Sequence, residues 1–175
     1  MTEKEMDDAM YRIAAQIVEH GTDGVVLIGI RTRGVPLANW LAKKVEQIQK
    51  KPIPVGQLDI NLYRDDLSEV GDQPIVQRTE LPFKLTGLGI ILVDDVLYTG
   101  RTIRAAMDAI IDFGRPKFIR LMTMIDRGWR EFPIQPDYVG KRIDTEADDN
   151  VKVQLAEMDG ENKVVIRKQL PKQKQ

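Results

Sequence analysis

Hydrophobic residues recur along the chain at spacings that predict helices. A first helical stripe runs from Met6 to Ile17 and ends near Gly21, because the apolar positions repeat every three or four residues. A second stripe, Leu37 to Ile48, begins near Pro36, and proline is tolerated in the first turn of a helix. A third covers residues 102–113. The chain therefore contains at least three amphipathic helices.

Continuous apolar runs of strand length lie between the helical stripes. Val25–Ile30 and Ile90–Val93 show no alternation with polar residues, which is typical of strands buried on both faces of a parallel sheet. Residues 117–125 predict a further strand, and residues 55–63 alternate like a strand whose two faces differ. Strands alternating with helices predict an α/β fold with a mainly parallel, doubly wound sheet.

Two other regions are less regular. Residues 64–80 are mostly polar and predict a long loop, and loops of that length are commonly functional. Near the C-terminus, short strands are predicted around Tyr138 and over residues 151–158 and 163–168, with a hairpin turn at residues 159–162. At 175 residues the chain is most economically one domain, residues 1–175.

Composition narrows the class of protein. A content of 42% hydrophobic and 30% charged residues is typical of a soluble globular protein, and no apolar run approaches the length of a membrane span. There are no cysteines, which excludes disulfides and thiol nucleophiles, and we see no secretory signal. The formal net charge of −1 means that any RNA-binding surface is local. We therefore expect a cytoplasmic protein with neither a membrane nor DNA as partner.

The most informative segment runs from Ile90 to Thr102, where a buried strand ends in two acids and a short polar turn opens a helix. Backbone N–H groups and hydroxyls at a helix N-terminus favour a phosphate. Asp94 and Asp95 instead accept hydrogen bonds from sugar hydroxyls or bind a hard cation such as Mg²⁺. Hydrogen-bond donors for a phosphate and acceptors for hydroxyl groups thus lie one turn apart. The natural ligand is a phosphorylated sugar.

Three turns follow predicted strands and should meet in one cleft. These are residues 31–34, 94–102 and 126–128. Because ligands of open α/β sheets bind outside the carboxyl ends of the strands, we expect residues far apart in sequence to converge there.

The segment Val93-Asp94-Asp95-Val96-Leu97-Tyr98-Thr99-Gly100-Arg101-Thr102 resembles the phosphoribosyl pyrophosphate (PRPP) signature of type I phosphoribosyltransferases. It departs at Tyr98, where many relatives have a small or acidic residue. This form is similar to one branch of the family, whose members combine uracil phosphoribosyltransferase activity with regulation of the pyrimidine operon. Residues 29–34, 59–68, 126–128 and 137–141 resemble the same branch.

The resemblance implies a type I phosphoribosyltransferase fold with a small hood subdomain, formed mainly by about residues 133–175 with help from the N-terminus. It also implies Mg²⁺-assisted synthesis of UMP and pyrophosphate from uracil and PRPP. Asp94 and Asp95 would hold the ribose hydroxyls and Mg²⁺, and Asp126 a second metal. Arg64 and Arg78 would close over the pyrophosphate. The further substrate contacts implied are Thr32, Arg33, Val96, Leu97, Tyr98, Thr99, Gly100, Arg101, Thr102, Arg127 and Val151.

The same branch binds a stem-loop of pyr leader mRNA, with an affinity that UMP or UTP tunes, on a face formed by at least two copies of the chain. Arg12 and Arg130 are the candidate phosphate contacts. This sequence departs from the branch at Ala15, Trp129 and Asn150, where relatives commonly have two histidines and a lysine, and each lost cation weakens binding. Tyr11 and Trp129 are candidates to stack on unpaired bases.

Several alternatives stay open at the level of sequence. The protein is either a regulator and enzyme, an enzyme with lost or weakened RNA binding, or a transferase for a purine base. Taken singly, Arg33 and Arg127 are more often surface cations, and Asp126 is as often the cap of a turn.

Overall fold

The computed structural model describes residues 1–63 and 79–168. Helices and strands alternate through most of this part of the chain. The helices are α1 Glu3–His20, α2 Gly34–Gln49, α3 Arg101–Phe113 and α4 Ala156–Asp159, with a 3₁₀-helix at Asn61–Tyr63. The strands are β1 Val25–Ile30, β2 Val55–Leu58, β3 Gly89–Leu97, β4 Phe118–Asp126, β5 Tyr138–Arg142, β6 Asn150–Gln154 and β7 Lys163–Arg167.

Five strands form one sheet in the order β2-β1-β3-β4-β5, and all neighbours are parallel. The predicted parallel α/β fold is confirmed. Helices cover both faces of this sheet, which explains why its central strands are continuously apolar. Ile91 and Val93 pack in the hydrophobic cluster of α1 and α2, whereas Ile90 and Leu92 pack in the cluster of α3.

Two predicted strands are shorter than their sequence patterns indicate. β2 ends at Leu58, because the Asp59 carboxylate accepts a hydrogen bond from the N–H of Asn61 at 2.9 Å and turns the chain into the 3₁₀-helix. β6 ends at Gln154 and α4 follows, since the Asp159 carboxylate accepts from the N–H of Leu155 at 3.0 Å. In both places a local side chain competes with strand pairing for a backbone donor.

A second, separate sheet consists of β6 and β7, which pair antiparallel. The N-terminus contributes to it, because the Met1 ammonium donates to the Val164 carbonyl at 2.9 Å and the Val164 N–H donates to the Met1 carbonyl at 2.9 Å. β5 lies beyond residue 133 but extends the main sheet. The division of residues 1–175 into a core and a hood beginning near residue 133 stays a prediction.

No helix among residues 1–63 and 79–168 combines the length and the apolar character that a membrane crossing requires.

Candidate functional site

The three turns predicted to converge follow the three central strands β1, β3 and β4, at one edge of the sheet. Gly34 shows how closely the first turn approaches β3. A Cβ atom at this position would lie 2.2 Å from the Val93 carbonyl oxygen, so only glycine lets α2 begin here. In the same turn the Arg31–Thr32 peptide bond is cis, and Thr32 is exposed. The structure thus brings residues 31–34 against the start of the acidic pair.

Asp94 and Asp95 are the last polar residues before β3 ends, and each carboxylate accepts a backbone hydrogen bond. The N–H of Asp95 donates to Asp94 and the N–H of Val96 donates to Asp95, both at 2.9 Å. Burial raises the pKa of Asp95, and the Val96 N–H, Asp94 and the Arg33 charge offset only part of this effect. Among the described residues, no side-chain cation forms an ion pair with Asp95. The cleft therefore contains a carboxylate that favours an incoming cation or hydroxyl.

The turn between β3 and α3 supplies hydrogen-bond donors, in contrast to the acceptor carboxylates of Asp94 and Asp95. Gly100 is the N-cap of α3 at φ 93°, a left-handed conformation that glycine adopts without strain, and it has no side chain to cap the helix. Thr99 Oγ1 accepts from the N–H of Arg101 at 3.3 Å. The positive end of a 13-residue helix is thus presented beside Asp94 and Asp95, as a phosphate group requires.

Arg33 belongs to the turn of residues 31–34 and connects this turn to the region of the small sheet. Its guanidinium donates to the Val153 carbonyl at 2.8 Å and forms a two-point ion pair with Asp159, at 2.5 and 3.2 Å. Lys152 also donates to Asp159, at 2.9 Å. The ion pair raises the pKa of Arg33, while Arg33 and Lys152 hold the pKa of Asp159 far below its usual range. No pattern in the sequence pointed to Asp159 as the partner of Arg33.

Arg127 connects the third turn to the loop before β6. It is buried, and its guanidinium donates to the backbone carbonyls of Glu146, Ala147 and Asp149 at 2.7–3.3 Å. The Tyr98 ring lies 4.2 Å from the same guanidinium, and its hydroxyl donates to Ala147 at 3.2 Å. Val151 lies half-buried at the start of β6 and packs against the core. Arg127, Tyr98 and Val151 therefore lie where the core meets the loop and the small sheet.

Asp126 has a different environment from the acidic pair. Its carboxylate accepts from Arg130 at 2.5 Å and from the N–H of Gly128 at 3.1 Å, and Arg142 lies at 3.7 Å. It lies opposite Leu97, three residues or roughly 10 Å farther along the sheet than Asp94. Within residues 1–63 and 79–168, no three acidic or histidine side chains form a group that could hold a metal ion. The structure does not bring Asp126 together with Asp94 and Asp95.

The candidate RNA contacts fall into two environments. Tyr11 and Trp129 are 53% and 50% exposed, as stacking on bases requires. Arg12 is exposed and donates to the Val139 and Gly140 carbonyls of β5 at 2.9 and 2.8 Å. Arg130, by contrast, directs its donors to the protein interior.

Sequence reasoning missed two exposed cations next to Arg12. Lys141 and Arg142 follow Gly140 on the edge strand β5 and border the same shallow pocket. The adjacency of these two charges in the sequence was the available signal. Arg64 and Arg78, the candidate residues of the catalytic loop, lie outside the described residues.

Comparison with known proteins agrees with this geometry. The family model "Phosphoribosyl transferase domain" matches residues 2–160. Proteins called "Bifunctional protein PyrR" are similar over nearly the whole chain. The one from Thermus aquaticus is 55% identical, with 95% of this chain and 93% of the relative covered. That from Clostridioides difficile is 50% identical, with 95% and 96% covered.

Solved structures show the same fold at much lower identity. The hypoxanthine phosphoribosyltransferase of Trypanosoma cruzi is 16% identical, with a TM-score of 0.71 over 94% of this chain and 93% of that one. A hypoxanthine phosphoribosyltransferase from Staphylococcus aureus is 20% identical, with a TM-score of 0.66 over 83% and 76%. Together with the family match and the PyrR relatives, these likenesses show that the chain belongs to the phosphoribosyl transferase family and, within it, to the PyrR proteins.

Proposed function

We propose that this protein transfers the phosphoribosyl group of PRPP to uracil, which yields UMP and pyrophosphate, and that it regulates pyrimidine genes by binding pyr leader mRNA in the cytoplasm. The observation that carries the enzymatic part is the convergence of residues 31–34, Asp94–Asp95 and the α3 N-terminus at one edge of the sheet. Hydrogen-bond donors for phosphate and acceptors for sugar hydroxyls are adjacent there. They match the phosphate and hydroxyl groups that are adjacent in PRPP.

The chemistry needs orientation and charge stabilisation. Breaking the bond between C1 of the ribose and pyrophosphate leaves positive charge on the sugar and negative charge on the leaving group. Asp94 and Asp95 orient the ribose through its hydroxyls and favour the positive charge. The backbone N–H groups at residues 99–102 bind the 5′-phosphate, and Thr32 with Arg33 lies on the side of the leaving group. Arg64 and Arg78 are proposed to close over pyrophosphate.

Mg²⁺ fits the proposed site. A site for this ion usually takes one or two protein carboxylates and completes its shell with substrate phosphates and water. Asp95, whose pKa is raised by burial, belongs to a donor set with this character. Bound Mg²⁺ would neutralise charge on the pyrophosphate as it leaves. Asp126, already paired with Arg130, fits a second metal site less well.

The base is proposed to bind under the small sheet formed by β6 and β7, which together with Met1 we assign to the hood. Arg127 and Tyr98 hold the loop before β6 against the phosphate turn. This contact supports the proposal that the backbone near Val151 meets the base. Backbone N–H and C=O groups there are suited to the few polar atoms of uracil.

The decisive experiment incubates the protein with PRPP, Mg²⁺ and labelled uracil and measures UMP formation. A parallel reaction contains hypoxanthine, because the two solved proteins of similar fold are hypoxanthine phosphoribosyltransferases. We expect UMP and no comparable amount of IMP. A preference for hypoxanthine would show that the proposed base is wrong, and absence of both products would reject the proposed transferase.

The regulatory part is supported by exposed side chains on and beside β5. Tyr11 and Arg12 on α1 are joined there by Lys141 and Arg142, whose side chains are 52% and 73% exposed. Trp129 is exposed in the turn after β4, and its indole N–H donates to the Thr145 carbonyl beyond β5. Aromatic side chains stack on unpaired bases and the cations contact phosphates. We propose that two or more copies of the chain present this surface to the leader stem-loop.

Gel retardation tests this second activity. We expect the pyr leader stem-loop to bind tightly at physiological salt, with an affinity that UMP or UTP changes. An unrelated hairpin of the same length is the control. Equal affinity for both hairpins would leave a transferase without the regulatory function.

A further inference from the structure

Residues 128–134 lie directly against the turn that we assign to the 5′-phosphate. The N–H groups of Glu131 and Phe132 both donate to the Thr99 carbonyl, at 2.9 and 3.1 Å. Phe132 also lies close to Gly100, since a Cβ atom there would be 3.2 Å from the Cβ of Phe132. Arg101 donates to Glu131 at 2.8 Å. The outer side of the phosphate turn is thus covered by this segment.

Arg130 is the central connection between the two segments. Its Nη1 donates to the Tyr98 carbonyl at 2.9 Å and to the Gly128 carbonyl at 3.0 Å, and its Nε donates to Ile134 at 2.9 Å. Its Nη2 pairs with Asp126 at 2.5 Å. The Arg130 side chain is only 14% exposed and that of Asp126 only 8%, so each charge compensates the other in the interior.

Because the peptide group is planar, these contacts to the carbonyls also set the direction of the N–H groups that follow them. Because the C=O and the following N–H point in opposite directions, a carbonyl held on the outer side turns the next N–H inward. Arg130 holds the Tyr98 carbonyl, which directs the N–H of Thr99 towards the cleft. Glu131 and Phe132 hold the Thr99 carbonyl, which directs the N–H of Gly100 the same way.

We infer that Arg130 is a positioning residue of the transferase, which acts through the Tyr98 carbonyl to fix the N–H donors for the 5′-phosphate. The inference rests on the proposed function and deepens it. It differs from the sequence-based hypothesis that Arg130 contacts RNA, because all three nitrogens of the guanidinium donate to protein acceptors. Asp126 belongs to the same unit, as the counter-charge that keeps Arg130 in place.

The test compares Arg130→Gln and Arg130→Lys with the wild-type protein. The Michaelis constant for PRPP and the dissociation constant for UMP should both rise by about 10- to 100-fold, the loss expected for disordered donors to a charged group. The Michaelis constant for uracil should stay within about twofold, since uracil carries no phosphate. Lysine should not restore binding, because one ammonium group cannot span this set of carbonyls.

Arg120→Gln is the matched control. Arg120 is also partly buried, but it donates to Tyr138 and packs on Phe118 near the opposite end of β4. This variant loses stability without a change in either Michaelis constant. If Arg130→Gln does not fold, Asp126→Asn replaces it, and a PRPP constant raised by about three- to tenfold is expected. The Mg²⁺ concentration for half-maximal activity should then be unchanged.

An unchanged constant for PRPP together with weaker binding of the leader stem-loop would overturn the inference and make Arg130 an RNA contact. Equal rises in the constants for PRPP and uracil would also overturn it, since the defect would then be general. If wild-type protein prefers hypoxanthine, the proposed base is wrong, while the PRPP constant still tests Arg130.

Discussion

Asp95 and Asp159 lie in different parts of the molecule, and both interact electrostatically with Arg33, but their pKa values shift in opposite directions. Burial at the end of β3 raises the pKa of Asp95. Arg33, Lys152 and the Leu155 N–H hold the pKa of Asp159 well below its usual range. The ion pair of Arg33 is thus with Asp159 on α4, not with Asp95 near the end of β3.

The difference separates a structural charge from a functional one. Asp159 has two cations and a backbone donor, so its charge is compensated in the ligand-free protein and fastens the small sheet to the first turn. Asp95 is half-buried with less compensation, an arrangement that costs stability and is typical of binding sites. We therefore expect substitutions at the two residues to have opposite effects on stability and very different effects on catalysis.

The largest effect is expected from the double substitution Asp94→Asn and Asp95→Asn. Both amides keep the shape of the side chains but remove the charges that bind ribose hydroxyls and Mg²⁺, so the rate of UMP formation should fall by about 10³-fold or more. Circular dichroism should match that of the wild-type protein. Asp108→Asn, a substitution of an exposed carboxylate on α3, is the control and should retain full activity. Turnover within tenfold of wild type would refute the assigned roles.

A smaller effect is expected from Arg33→Gln, which removes the cation between the two carboxylates. If Arg33 also contacts the pyrophosphate, the Michaelis constant for PRPP should rise by about 10- to 100-fold. Lys43→Gln, a substitution of an exposed cation on α2, the helix that begins directly after Arg33, serves as the control. A variant with the wild-type constant for PRPP but lower thermal stability would restrict Arg33 to its structural pairing with Asp159.

Asp159→Asn should alter the pH dependence of unfolding. Because the folded-state pKa of Asp159 is lowered, its contribution to stability is present above the unfolded pKa of about 4 and is lost as the pH falls below it. The variant should be less stable than wild type at pH 7, and the difference should shrink in acid. Thermal unfolding between about pH 2 and 7 measures this change, with Glu157→Gln on α4 as control. A difference that is constant with pH would contradict the ion pair.

The smallest effect, and one of opposite sign, is expected from Asp95→Asn in the protein without Mg²⁺. A raised folded-state pKa means that Asp95 favours the folded state below its unfolded pKa and loses this contribution as the pH rises through the folded one. The neutral amide avoids that loss, so Tm should rise at pH 7, and the gain should disappear in acid. A lower Tm at pH 7 would show that the charge stabilises the empty site.

Much of the architecture and part of the site were predictable from sequence because they depend on local patterns. Val25–Ile30 is apolar throughout because both faces of its sheet are covered, and the structure has this strand with the predicted ends. The convergence of three turns followed from the rule that parallel strands share a carboxyl edge. The acidic pair and the glycine turn before α3 are contiguous and needed no tertiary information.

Contacts between distant residues were not predictable. Arg33 and Asp159 are 126 residues apart and Arg127 donates to a carbonyl 22 residues away, so neither pairing leaves a periodic signal. Arg130 is a cation in a polar stretch, and only its contacts distinguish an internal crosslink from a surface charge. The predicted ends of β2 and β6 were wrong for a related reason. The carboxylate of Asp59 after β2 and that of Asp159 after β6 each accept a hydrogen bond from a backbone N–H that would otherwise continue the strand.

The position of Arg12 has a consequence for the behaviour of the protein in solution. β5 is an edge strand of the main sheet, and an uncovered edge is a template on which strands of other molecules can add. By donating to the Val139 and Gly140 carbonyls, Arg12 places a charge beside this edge and occupies acceptors that an incoming strand would use. We therefore expect the same guanidinium that is proposed to contact RNA to hinder the addition of a strand at this edge.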